Sequence, residues 1–172
     1  MLKLIGSILV FGSCAALGLS ARQGLRRRIA AADAMHRALS HIRSEIACRR
    51  TPLPDIVAEL AEDNDAEVRM VFRLLRRRLR EETDRSFGYL WRACLRDSRA
   101  QTGLGEEECR ILCDAANYLG RYDAGEQLAG LAQTMYRLSA ARAAAEQELR
   151  QKGNLYRVCG AAAGILVILV LI

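Results

Sequence analysis

Residues 25–50 read LRRRIAAADAMHRALSHIRSEIACRR. The apolar residues Leu25, Ile29, Ala32, Met35, Leu39, Ile42 and Ile46 recur at steps of three or four, a spacing that stacks side chains on one face of an α-helix. Polar and charged residues fill most of the other positions, so one face suits burial and the other suits water. No Pro interrupts the run, and Gly24 is the one weak point between it and the apolar stretch before it. A continuous helix from Leu4 to Arg50 is therefore predicted, joining the two stiffly.

Outward from this stretch the chain is strongly partitioned. Residues 1–21 carry one charge, Lys3, and residues 158–172 carry none, whereas all 20 acidic residues and every other basic residue lie from Arg22 to Arg157. As a helix, Leu4 to Ala21 reaches about 27 Å, close to the thickness of a hydrocarbon core. Val158 to Ile172 attains a similar length once Leu155 and Tyr156 are counted, and a Tyr ring suits the lipid interface. The reading is a transmembrane helix over 1–21, a helical domain over 22–157 and a second transmembrane helix over 158–172. Arg22, Arg26, Arg27 and Arg28 at one boundary and Arg150, Lys152 and Arg157 at the other put the middle domain in the cytoplasm. Positive charge following the first apolar segment, not preceding it, favours an uncleaved anchor over a signal peptide. Gly12 and Ala16 in the first segment, and Gly160 and Gly164 in the second, give each a small-residue face for packing against another helix. Either the two spans pack on each other or they meet another membrane protein, weighed against small residues that face lipid without a partner; a homo-oligomer is among the partners allowed.

Within the middle, Thr51-Pro52 reads as a restart, with Thr capping and Pro at the first helical position. Leu53, Ile56, Val57 and Leu60 form the next buried stripe, and Val68, Val71, Phe72, Leu75 and Leu79 another, ending near Arg80. Phe87, Leu90, Trp91, Cys94 and Leu95 make a fourth helix, stopped at Thr102 to Gly105. Glu106, Glu107 and Glu108 suit the positive start of a fifth, whose apolar side runs through Cys109, Leu112, Cys113, Ala116 and Leu119 to Gly120. The last helix spans Asp123 to Lys152, and Gly153-Asn154 reads as a hinge or kink. No alternating Val, Ile or Thr run suggests a strand. The fold class expected is all-α, a six-helix cytoplasmic bundle flanked by two transmembrane helices.

Chemistry is sparse. There is no phosphate-binding Gly loop followed by Lys, no Gly-x-Ser-x-Gly elbow and no His-Glu-x-x-His helix, so neither an enzyme nor a cofactor or metal is expected. Cys109 and Cys113 lie one turn apart, but His36 and His41 belong to a different segment, and small buried thiols are the simpler reading. The densest charge run is Arg73, Arg76, Arg77, Arg78 and Arg80, the chief partner-contact candidate, weighed against an ordinary solvated face balanced by Glu81 and Glu82. With nine aromatics in the chain and none forming a platform beside these arginines, no nucleic-acid partner is expected.

The opening Met1 to Gly6 (Met-Leu-Lys-Leu-Ile-Gly), the Thr51-Pro52-Leu53 restart, and Leu119-Gly120 followed by Asp123 and Gln127 together resemble the stage III sporulation protein AB family, over the whole chain. The resemblance implies a membrane platform or scaffold component of the secretion-like complex between mother cell and forespore, in the outer forespore membrane with its domain in the mother-cell cytoplasm. The family is similar to the cytoplasmic domain of type II secretion and type IV pilus platform proteins. By that likeness the domain would dock a secretion ATPase, the stage III sporulation protein AA, alongside other channel components. Two features depart from the pattern: Ala116 stands where a Gly often precedes the Leu-Gly pair, and the domain is rich in Arg and Ala. The alternative reading is an adaptor that binds anionic lipid or nucleic acid through the Arg-rich helix.

Overall fold

The computed structural model describes the backbone of residues 2–63, 65–120 and 123–171, and the side chains of Ser20 and of residues 22–63, 65–120 and 123–151. The regular structure among its described residues is entirely helical: α1 (Leu2–Ser44), a π-helical turn (Glu45–Arg49), α2 (Leu53–Leu60), α3 (Ala66–Glu81), α4 (Phe87–Thr102), α5 (Glu106–Asp114), a 3₁₀ turn (Ala115–Asn117) and α6 (Ala124–Leu171). The six helices include the terminal apolar segments, which extend α1 and α6 in place of forming two further helices. At Gly153-Asn154, read as a hinge or kink, α6 continues as one helix through both residues; one Gly costs a helix only about 1 kcal/mol. Among the described residues no helix is long and apolar enough to cross a membrane. The two spans read from the sequence, with Gly12, Ala16, Gly160 and Gly164, lie outside the described side chains.

Two compact units divide the chain, Met1–Arg26 with Ala144–Ile172, and Arg27–Ala143. In the second, α1 buries Ala31, Ala32, Ala34, Met35, Ala38, Leu39 and Ile42, a face far broader than its large apolar residues alone define. Alanines without bulky side chains let neighbours close on it from several directions. Trp91 on α4 is fully buried; its indole N–H donates to the Leu112 carbonyl at 2.7 Å. The ring meets Phe72 of α3 edge-on at 5.6 Å and stacks with Phe87 at 6.3 Å, so one side chain ties α3, α4 and α5 together.

The α1–α2 connection differs from the capping expected of Thr51. Glu45 is buried at the π-helical turn, and the Thr51 hydroxyl donates to its Oε2 at 2.7 Å while Arg49 reaches Oε1 at 3.3 Å. A buried carboxylate needs donors, and Thr51 supplies one, so α2 starts without a side-chain cap at Leu53. Arg50 takes up the left-handed conformation, φ 51°. At the other end of the domain core, α5 stops at Asp114 and tightens into the 3₁₀ turn before Gly120, whose φ of 77° closes the segment.

Two glycines make close approach. A Cβ on Gly88 would sit 2.6 Å from the Ala116 carbonyl oxygen, and one on Gly130 would enter the Tyr118 ring. On helix propensity alone, Gly→Ala inside a helix stabilises by about 1 kcal/mol, but forcing a methyl into a packed ring costs about 1–3 kcal/mol. Gly130→Ala therefore lowers the denaturation midpoint, while Gly24→Ala, which meets no atom within 4 Å, raises it. A gain at both positions would show that Tyr118 does not rest on Gly130.

Candidate partner-docking surface

Of the six arginines of α3, the five in the run Arg73 to Arg80 divide by what holds them. Arg73 donates to the Ala61 carbonyl at 2.9 Å and to Glu62 at 3.0 Å, and Arg76 also bonds Glu62 at 3.0 Å. Hydrogen bonding from Arg73, together with its charge, holds the Glu62 carboxyl below its ordinary range. These two arginines staple α3 to the end of α2. Arg78 reaches across to α4, bonding Asp97 at 2.6 Å and lying 3.8 Å from Glu82. The Asp97 hydrogen bond raises the Arg78 pKa. Beneath it, burial pushes the Cys94 thiol up to about 11.

Arg77 and Arg80 remain exposed and form no ion pair among the described residues. They share a helix face with Met70, which is 38% exposed, at helical spacings of seven and ten residues. Five arginines read as one surface thus become a brace of three and an outward pair. The difference decides between ligands. At about 1 kcal/mol per basic residue near an anionic membrane surface, the pair supplies about 2 kcal/mol, too little to anchor the domain to lipid unaided. Two outward guanidinium forks suit carboxylates on a protein surface better.

Of the motif residues read from the sequence, Leu53, Leu119 and Gly120 prove to be packing residues. A Cβ on Gly120 would lie 3.3 Å from the Phe87 Cβ and 3.6 Å from Leu53 Cδ1, so Leu53 and the Leu119-Gly120 pair meet at one end of the bundle around Phe87. Leu119 is fully buried. Asp123 lies just ahead of α6, its carbonyl accepting from the Gln127 N–H at 3.1 Å and its carboxylate from the Gly125 N–H at 3.4 Å. Pro52 is exposed and Thr51 is engaged with Glu45.

One charged pair was not legible. Glu108, read with Glu106 and Glu107 as an acid suited to the start of α5, is 0% exposed and receives Arg28 Nε on both carboxylate oxygens at 2.9 Å. The neighbouring Arg27 donates to the Gln101 carbonyl at 3.1 Å. A side chain on Gly105 would collide with both Arg28 and Glu108, so the Gly three residues before Glu108 is the one sequence signal that marks the pair. Cys109 and Cys113 share a hydrogen bond that lowers the Cys109 pKa to about 7 and pushes that of Cys113 up. Cys94 and Cys109 are buried, Cys113 is half-buried and Cys48 exposed.

A family model described as stage III sporulation protein AB (spore_III_AB) matches residues 3–172. The chain belongs to the stage III sporulation protein AB family. A solved structure of stage III sporulation protein AB (SpoIIIAB) superposes with a TM-score of 0.66 at 22% identity, covering 72% of this chain and 97% of that one; at this identity the likeness shows the fold. No match was found among curated proteins.

Removing one member of a buried ion pair leaves the other charged and unsolvated, a loss of about 3–5 kcal/mol. Arg28→Met is expected to destabilise the chain toward the lower end of that range, because Arg28 keeps 28% of its side-chain exposure. The double variant Arg28→Met/Glu108→Met should regain most of the loss in urea unfolding. Equal losses in the single and double variants would count against a paired Glu108.

Proposed function

We propose that this sporulation protein is a non-enzymatic membrane platform that docks a cytoplasmic secretion ATPase, the stage III sporulation protein AA, within a secretion-like complex between mother cell and forespore. The observation that carries the docking reading is the outward pair Arg77 and Arg80, on a helix whose other arginines are held by neighbouring segments. The apolar segments 1–21 and 158–172 support insertion of both ends into the outer forespore membrane, and the basic residues flanking them support a domain on the mother-cell cytoplasmic side. Family membership supports the sporulation role.

The full chain in detergent should copurify with the ATPase. Charge reversal at both positions, Arg77→Glu/Arg80→Glu, should lower that association at least about tenfold, since each charged contact at an interface is worth on the order of 1 kcal/mol or more. The same variant should keep its unfolding midpoint, as neither side chain forms an ion pair among the described residues. Association undiminished by the double reversal would place docking elsewhere. Binding to anionic vesicles in place of the ATPase, falling steeply with salt, would favour the lipid adaptor.

Topology is a separate expectation. Reporters fused at the two termini should be active on the far side of the membrane, and one inserted near Gly103 active in the cytoplasm. A cytoplasmic signal from either terminus would remove that span.

A further inference from the structure

Charge on the two flanks of α3 is sorted by sign. Residues 51–68 hold six acidic residues and no Lys or Arg. Residues 85–102 carry Arg85, Arg92, Arg96 and Arg99 against one acid, Asp97, which Arg78 already engages. Arg73 and Arg76 reach from α3 to Glu62 at the end of α2, and Arg78, on the other side of the same helix, reaches α4. The acidic and basic segments therefore lie on opposite sides of α3.

Each segment presents a row with the same spacing. On α2 the buried Ile56, Val57 and Leu60 leave Asp55, Glu59 and Glu62 on the outer face, at steps of four and three. On α4 Arg92, Arg96 and Arg99 repeat those steps on the side away from Asp97, clear of the buried Trp91, Cys94 and Leu95. The rows also run the same way. Leu53 and Phe87, the first residues of α2 and α4, both lie against Gly120. Beyond them Glu59 meets His41 and Asp65 meets Arg37, while Gln101 near the end of α4 meets Arg27. Both rows thus climb α1 from its Ser44 end toward Arg27.

A second copy rotated about the long axis of the bundle brings the basic row of one chain against the acidic row of the next, parallel and at one level. The charged groups are accessible. Asp55 and Arg96 are exposed and form no ion pair among the described residues. Glu59 and Glu62 are 61% and 59% exposed beside His41 and the α3 arginines, and a carboxylate has lone pairs for a second guanidinium. Arg99 is held loosely, 3.7 Å from Glu106. Other anionic partners fit less well. The unit Arg27–Ala143 holds 20 basic and 18 acidic residues, without the excess charge that draws a nucleic acid, and a row along the bundle meets a bilayer at either end with one rung only.

We propose that this chain self-associates head to tail, Arg92, Arg96 and Arg99 of one copy pairing with Asp55, Glu59 and Glu62 of the next. Such a heterologous contact builds a ring or an open row, and it does not use Arg77 or Arg80. Sedimentation velocity of the full chain in detergent should show assembly that grows with protein concentration and falls steeply as salt rises. The exposed pairs Arg96→Glu/Arg99→Glu and Asp55→Arg/Glu59→Arg should each weaken it at least about tenfold, with circular dichroism unchanged. Mixing the two variants should restore assembly, since the intact acidic row of one meets the intact basic row of the other. A parent chain that stays monomeric, or that assembles without regard to salt, overturns the contact, and neither reading depends on how a variant folds. Assembly undiminished in both variants, or no recovery when the folded variants are mixed, overturns it equally.

Discussion

Trp91 donates its indole N–H to the Leu112 carbonyl while its ring sits against Phe72 and Phe87, and the arrangement of α3, α4 and α5 depends on these contacts together. The hydrogen bond forms where water cannot replace it, so leaving it unmade would cost about 1–3 kcal/mol. Each aromatic contact adds about 0.5–1.5 kcal/mol beyond burial. Because the Leu112 carbonyl belongs to α5 and Phe72 to α3, the indole sets the separation of both helices from α4. The Arg78–Asp97 bridge then has a fixed gap to span, and α3 turns Arg77 and Arg80 outward.

A second constraint is close approach. Gly88 against the Ala116 carbonyl and Gly130 against the Tyr118 ring bring α4 and α6 nearer to the 3₁₀ turn and its flank than any side chain would permit. Alanines do the same along α1, where Ala31, Ala34 and Ala38 are as buried as Met35 and Leu39. The Ala-rich composition that departs from the family pattern is thus explained in part by a central helix contacted on several sides. The Arg-rich composition is explained in part by ion pairs that fasten neighbouring segments, among them Arg37 with Asp65, Arg137 with Asp114 and Arg142 with Asp33.

Much of the architecture was legible because amphipathic periodicity and Gly or Pro breaks are local signals. The stripes through Ile56, Val57 and Leu60, through Val68, Val71, Phe72 and Leu75, and through Leu90, Trp91, Cys94 and Leu95 are all buried, and Gly103 and Gly120 both stand in the left-handed conformation. What escaped depends on partners distant in sequence. Glu108 looks like its exposed neighbours Glu106 and Glu107 until Arg28, eighty residues earlier, is brought beside it. Thr51 looks like a cap until Glu45 is buried next to it. The arginine run looks uniform, since only the positions of Glu62 and Asp97 separate the braced side chains from the outward ones. The family-like residues Leu53, Leu119 and Gly120 were found for the right family, yet their shared place is internal packing.

The docking account joins these levels: a buried tryptophan spaces the helices, ion pairs occupy three arginines of α3, and Arg77 and Arg80 are left facing out. The most direct measurement is site-specific photocrosslinking in sporulating cells, with a photoreactive residue at position 77 or, for comparison, at the exposed Tyr136 of α6. The account predicts a covalent product with the ATPase from position 77 and none from position 136. A product from position 136 with none from 77 would contradict it.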